Sequence, residues 1–196
     1  MKPDSATNSP NASTAIYSAA ARHFHWLTLA LILVQFPLGI FMSKYGERTD
    51  FAPPTAQMYD THKLLGLFIL LVVVLRLSYR VTHGAPPDEP TLPAWQKVVS
   101  HLTHWLIYAM LIIVPVVGWL AVSAYGPFQP FGFTLPALIA QNEPASKLLF
   151  GMHKLSAVLL LLLIAAHIGA ALFHYFIRKD GVLNRMWTSL PRRTRD

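Results

Sequence analysis

Four long apolar runs, separated by polar and proline-containing segments, dominate the pattern of hydrophobic positions in this chain. The membrane spans that they predict cover about residues 23–42, 62–80, 98–124 and 148–177. Each run is long enough to cross an apolar layer about 30 Å thick. Pro37 and Pro115 lie inside the first and third runs and predict bends, because a membrane helix can satisfy elsewhere the backbone groups that a proline frees. The pattern predicts an all-α integral membrane four-helix bundle.

Polar segments precede, connect and follow the runs. Residues 1–21 are rich in Ser, Ala, Asn and Thr and predict a disordered tail. Residues 22–180 form the predicted membrane domain, and residues 181–196 a basic tail. Connections are predicted at residues 43–59, 82–97 and 125–146. The last of these is rich in aromatic residues, Pro and Gly, which is typical of a loop that lies on the membrane surface or covers a site.

The composition supports a membrane protein and narrows its chemistry. With 54% hydrophobic and only 13% charged residues, the chain does not resemble a soluble domain. It contains no cysteine, which excludes cysteine-ligated iron–sulfur clusters, disulfides and covalently attached c-type haem. Any haem in this protein is therefore held by histidine or methionine.

The positive charge predicts topology rather than nucleic-acid binding. The net charge is +7, but the Lys and Arg residues are grouped at the ends of the apolar runs. Of the 16 Lys and Arg residues, eleven fall on the side that carries both termini and five on the other side. By the positive-inside rule, both termini are predicted to be cytoplasmic.

Three histidines share one stripe of the last apolar run. His153 and His167 are fourteen residues apart, so on a helix they lie within about 40° of one another and about 21 Å apart along the axis. His174 follows seven residues later, close to the same stripe. This separation is too long for a single metal ion and suits one ligand to each of two haems stacked across a bilayer.

Two histidines of the other runs match these depths. His62, at the outer start of the second run, shares the level of His153, and His25, at the inner start of the first run, shares the inner half with His167. Each pair can fill both axial positions of one haem b. Such an iron favours electron transfer over reactions at the metal, and no side chain is predicted to act as a catalytic acid, base or nucleophile.

Further polar residues gather near the inner boundary. Arg76 and Arg80 lie on one face at the end of the second run. A buried anion such as a haem propionate is the favoured partner of Arg76, whereas Arg80 is equally compatible with lipid headgroups. His101 and His104 are an alternative to His25 as a source of the inner ligand. A quinone headgroup site, with lipid headgroup binding as its alternative, is predicted from His174, His101, His104 and Arg22.

Five cations lie near the outer face, namely Lys44, Arg48, Lys63, Lys147 and Lys154. They are compatible with a cationic funnel that steers a small anion toward the outer haem, because clefts of one sign of charge raise encounter rates. They are equally compatible with ordinary interfacial cations.

The order of motifs between Tyr17 and about Met186 resembles the bacterial cytochrome b561 family. The motifs are His25-Trp26, His62 with Gly66, Arg76-x-x-x-Arg80, His101-x-x-His104-x-x-x-Tyr108, Pro115 with Gly118, Phe131-Gly132-Phe133, His153, His167, His174 and Lys179-Asp180-Gly181. The combination is specific, although no single motif is.

The resemblance implies a multi-pass protein of the bacterial inner membrane with two non-covalent haem b groups. It implies His25 and His167 as inner ligands, and His62 and His153 as outer ligands. It further implies a superoxide oxidase, which passes electrons from superoxide at the periplasmic face to ubiquinone. The alternative is a cytochrome subunit that takes electrons from a dehydrogenase, a hydrogenase or a periplasmic redox protein, and a haem-free transporter or scaffold is the third hypothesis.

Overall fold

The computed structural model describes residues 15–191, and this part of the chain contains four long helices. They are α1 (Ala19–Thr49), α2 (Pro53–His83), α3 (Ala94–Tyr125) and α4 (Glu143–Phe173). All four are long and apolar enough to cross a membrane, which confirms the predicted all-α membrane fold. A five-residue π-helical turn, His174–Arg178, continues α4, and short 3-10 turns occupy Pro130–Gly132 and Leu183–Arg185.

The helices extend past the apolar runs, most clearly where the connection at residues 43–59 was predicted. There α1 continues to Thr49 and α2 begins at Pro53. Hydropathy marks where lipid ends rather than where a helix ends: the 31 residues of α1 measure about 46 Å, whereas the apolar layer measures about 30 Å. Backbone geometry ends α1, because Asp50 and Phe51 both adopt left-handed φ angles of 47° and 56°.

The bundle has a small apolar core and an apolar outer surface. Each helix packs against the next along the chain. The buried core cluster consists of Ile32, Ile69, Val73, Leu111 and Leu160. Many large apolar side chains point outward and are more than half exposed, among them Leu33, Phe41, Leu148 and Leu162. This surface suits a lipid environment, since acyl chains are as apolar as these side chains.

Residues 179–191, here called the C-terminal clasp, close the inner end of the bundle, which is the end that carries both described termini. Its centre is the Arg185 guanidinium. Arg185 Nε donates to the Ala15 carbonyl at 3.0 Å, and Nη2 donates to the carbonyls of Pro86, at 3.1 Å, and Pro87. The guanidinium also lies 5.4 Å from the centre of the Tyr17 ring. One side chain thus joins the start of the chain, the α2–α3 connection and the C-terminal segment.

Both predicted tails differ from expectation in the parts that the structure describes. The Tyr17 amide donates to the Arg185 carbonyl at 3.2 Å, and α1 already begins at Ala19. Arg185 was expected in a basic cytoplasmic tail, but it is only 9% exposed, because backbone carbonyls replace water around its Nε and Nη2 donors. Residues 1–14 and 192–196, with Arg192, Arg193 and Arg195, lie outside the described residues.

We expect Arg185→Ala to lower the free energy of unfolding by about 2–4 kcal/mol, because buried carbonyls lose a charged donor. Thermal unfolding in detergent, followed by circular dichroism, measures the effect. Arg48→Ala, which removes an exposed arginine at the other end of α1, is the control. Equal melting temperatures for Arg185→Ala and wild type would contradict the role of the clasp.

Candidate functional site

The outer histidine pair joins α2 to α4. The ring centres of His62 and His153 lie 6.2 Å apart, and the ring planes are nearly perpendicular at 88°. His153 Nδ1 lies 2.9 Å from the Val114 carbonyl; a carbonyl only accepts, so Nδ1 carries the proton and Nε2 keeps its lone pair. His62 Nδ1 is buried and has no hydrogen-bond partner. The structure therefore brings together the two histidines that were matched by depth.

Each outer histidine lies against a glycine of the neighbouring helix. A Cβ atom at Gly39 of α1 would lie 2.9 Å from His62 Cε1, and a Cβ atom at Gly118 of α3 would lie 3.0 Å from His153 Cε1 and Nδ1. Carbon atoms do not approach so closely without displacement. The absence of a side chain at these two positions is therefore what admits the imidazoles.

Three imidazoles meet at the inner level. His25 of α1 and His167 of α4 have ring centres 6.2 Å apart, and His104 of α3 lies 5.0 Å from the His167 ring. His104 Nδ1 donates to the Ser100 carbonyl at 2.6 Å, which leaves its Nε2 lone pair free. The inner level thus offers two ligand pairs, His25 with His167 and His104 with His167.

Arg76 contacts the inner histidines directly. Its Nη2 donates to His25 Nδ1 at 3.0 Å, and its guanidinium lies 5.2 Å from the centre of the Tyr108 ring. Because a guanidinium only donates, His25 accepts at Nδ1 and carries its proton on Nε2. Binding of a metal ion through Nε2 of His25 therefore requires Arg76 to release that ring.

Arg80 points elsewhere, since its Nη1 donates to the Tyr17 hydroxyl at 3.3 Å. Of the residues predicted for the quinone site, Arg22 and His101 have separate partners. Arg22 donates to the Tyr17 carbonyl at 2.6 Å. His101, which is exposed, pairs with Asp88 at 3.1 Å. The structure does not gather these residues into one cluster with His104.

The five outer cations differ in their surroundings. Lys63 pairs with Asp60 at 3.4 Å and Lys147 with Glu143 at 2.7 Å, so carboxylates offset part of their charge. The other three, Lys44, Arg48 and Lys154, are exposed.

Asp60 also ties down the connection between α3 and α4. Its Oδ2 accepts from the Phe131 amide at 3.3 Å, and Phe128 and Pro130 of this connection are buried. The connection between α3 and α4 therefore contacts the outer end of α2 at Asp60, which is close in sequence to His62.

Comparison with known proteins identifies the family. A family model described as prokaryotic cytochrome b561 matches residues 16–189. This chain belongs to the prokaryotic cytochrome b561 family.

Its similarity to individual members of the cytochrome b561 family is distant but spans nearly whole chains. The chain is 30% identical to cytochrome b561 homolog 1 of Escherichia coli (strain K12) over 179 residues, which cover 90% of this chain and 98% of the relative. It is 29% identical over 185 residues to cytochrome b561 homolog 2 of the same organism, covering 92% and 93%. It is 28% identical over 173 residues to the probable superoxide oxidase CybB of Yersinia pestis, covering 87% and 94%.

Membership in the cytochrome b561 family implies haem b, and the histidine geometry fits this group. A metal ion bound on both sides by imidazole nitrogens, at bond lengths of about 2 Å, holds the two ring centres roughly 6 Å apart. The pairs His62–His153 and His25–His167 both measure 6.2 Å. Since the porphyrin supplies four nitrogens, two imidazoles complete the coordination of one iron.

Sequence reasoning missed the supporting residues around these histidines. Gly39 carried a weak signal, because a glycine inside a helix costs about 1 kcal/mol and usually has a packing reason. Gln35, whose Nε2 donates to the His62 carbonyl at 2.9 Å, gave a weaker one, as a single polar residue inside an apolar run. Asp180 was noted only as part of a motif. Its Oδ2 lies 2.6 Å from His174 Nδ1, a contact that depends on a backbone turn that periodicity does not indicate.

We expect Gly39→Ala and Gly118→Ala to lower the haem content per chain, because each added methyl group displaces the imidazole that it meets. Haem content is measured from the reduced-minus-oxidised spectrum against protein concentration. The control is Gly151→Ala in α4, where an added Cβ would meet nothing within 4 Å. Full haem content in both variants would show that neither glycine shapes a haem site.

Proposed function

We propose that this cytochrome b561 family member conducts electrons across the bacterial inner membrane through two haem b groups. The electrons pass from superoxide at the periplasmic face to ubiquinone near the cytoplasmic face, and both termini are cytoplasmic. The observation that carries the proposal is the pair of facing imidazoles at each of two levels of the bundle. His153 and His167 belong to one continuous helix, which fixes the distance between the levels at about 21 Å.

Bound haem b with two imidazole ligands supplies a one-electron couple without an open position on the iron. The chain's own contribution is to hold the ligands and keep water out. Leu160 lies seven residues from each α4 histidine and is 2% exposed, and it belongs to the apolar core cluster. Packed apolar side chains therefore separate the two levels.

The electrons balance over two superoxide ions. Each ion gives up one electron and becomes dioxygen, and ubiquinone takes up two electrons and two protons to become ubiquinol. At the outer face, Lys44, Arg48 and Lys154 would attract the anion, since exposed cations raise the rate of encounter at low ionic strength. The similarity to the Yersinia pestis protein, a probable superoxide oxidase, supports this donor.

A protein donor is the second candidate function, and one observation favours it. Tyr125 at the end of α3, and Phe131 and Phe133 in the connection that follows, are 77%, 55% and 75% exposed. Aromatic side chains are enriched at protein–protein interfaces. In this case the chain would be a cytochrome subunit that receives electrons from a dehydrogenase, a hydrogenase or a periplasmic redox protein.

For the inner level, we propose His25 and His167 as the ligands, with Arg76 moving from His25 toward a haem propionate. We expect His25→Ala to remove one haem per chain and His104→Ala to retain both, because of these two residues only His25 would hold a haem. Haem-to-protein stoichiometry and the low-temperature spectrum measure this result. The reverse outcome would assign the inner ligand to His104.

We expect a pulse of superoxide to reduce the purified protein and a soluble ubiquinone analogue to reoxidise it, both measured from the visible spectrum. The triple variant Lys44→Gln, Arg48→Gln, Lys154→Gln should retain its haem and be reduced several-fold more slowly at low salt, with a weaker dependence on ionic strength. Lys97→Gln, at the inner end of α3, is the control for loss of a positive charge away from the outer face. A wild-type protein that binds haem but ignores superoxide would favour a protein donor instead.

A further inference from the structure

At the end of α4, a turn in the backbone brings Asp180 into contact with His174. The end of α4 widens into the π-helical turn His174–Arg178, and Lys179 follows with a left-handed φ of 53°. In a regular α-helix, His174 and Asp180 would lie about 120° apart around the axis, because six residues advance by about 600°. The π-turn and Lys179 together allow Asp180 to reach His174. Single π-turns inside helices frequently mark functional sites.

The contact between these two residues is short and buried. His174 Nδ1 lies 2.6 Å from Asp180 Oδ2, and the two side chains are 14% and 7% exposed. A carboxylate only accepts hydrogen bonds, so the proton of the imidazole lies on Nδ1. The other ring nitrogen, Nε2, is left to exchange a proton.

The carboxylate itself is held in place from two further directions. Arg178 Nε donates to Asp180 Oδ2 at 3.2 Å, and the Val182 amide donates to Oδ1 at 3.2 Å. Arg178 is in turn fixed by its Nη2, which donates to the Thr91 carbonyl at 3.3 Å. Both oxygens of Asp180 therefore have donors, and the guanidinium balances its charge. Such an arrangement orients an imidazole as a fixed proton carrier.

We propose that Asp180 is a positioning residue that holds His174 as the proton donor for quinone reduction at the inner end of the bundle. This inference rests on the proposed function, because it requires ubiquinone to be reduced there. Reduction of one quinone consumes two electrons, delivered through the bundle, and two protons. In each transfer the Nε2–H bond of protonated His174 breaks and an O–H bond forms on a quinone oxygen. Water at the inner face then restores the proton on Nε2.

The fold supplies a matched control at the same end of the bundle. Asp88 pairs with His101 at 3.1 Å, but the His101 side chain is 53% exposed and the Asp88 side chain is 40% exposed. Asp88→Asn thus removes the same type of ion pair, but from an exposed site that has no π-helical turn. Asp180→Glu keeps the negative charge and lengthens the side chain by one methylene group.

The test measures reoxidation of the reduced holoprotein by a soluble ubiquinone analogue, in H₂O and in D₂O. We expect Asp180→Asn to retain haem and its reduction by dithionite but to slow reoxidation roughly 10- to 100-fold, with an increased solvent isotope effect. Asp180→Glu should recover part of the rate, and Asp88→Asn should match wild type. His174→Gln should be slow, and adding Asp180→Asn to it should slow the protein no further, because the two residues act as one unit.

Three results would overturn the inference. Reoxidation of Asp180→Asn at the wild-type rate would remove its positioning role while leaving quinone reduction intact. Equal slowing by Asp180→Asn in the wild-type and His174→Gln backgrounds would show a structural effect that does not act through His174. A wild-type holoprotein that no quinone reoxidises would overturn the proposed function, and the inference with it.

Discussion

An imidazole in the apolar layer of a membrane is costly unless it has a partner, and this constraint organises the bundle. Two of the histidines are carried by one helix, α4, at a separation that the helix rise fixes. Their partners come from three other helices, which must pack at the depths that these positions set. The glycines opposite the outer rings leave room for two of these imidazoles, and a core leucine lies between the two levels.

The bundle achieves this arrangement with little buried apolar surface. Its core cluster contains five buried residues, because most large apolar side chains face outward toward lipid. In water such a protein would lack stabilising burial, whereas in a bilayer helix association depends on close packing and on interhelical polar contacts. Two hydrogen bonds are interhelical polar contacts of this kind. Gln35 donates to the His62 carbonyl, and His153 donates to the Val114 carbonyl. Polar residues of the interior therefore link the helices, and they include the candidate haem ligands and their supports.

The sequence predicted the membrane fold and the pairing of histidines by depth, because both depend on hydropathy and helix rise. It did not predict where α1 ends, since the left-handed turn at Asp50 and Phe51 depends on local backbone conformation. It placed Arg185 in a basic tail, because composition does not distinguish an arginine in water from one surrounded by carbonyls. It also left His104 and His25 as alternatives, and the structure, which places both rings near His167, keeps them so. Periodicity gives the face of a helix, whereas hydrogen bonds across the inner end depend on turns that have no period.

The C-terminal clasp has a consequence for biosynthesis. Arg185 follows all four membrane helices along the chain, whereas its carbonyl partners belong to Ala15 and to the connection that follows α2. The hydrogen bonds of Arg185 at the inner end of the bundle therefore form only after all four helices have been synthesised. Before these hydrogen bonds form, a flat cofactor can enter between the inserted helices, and no hydrogen bond of the C-terminal clasp has to break. The hydrogen bonds of Arg185 can then close the inner end of the bundle after a cofactor has entered.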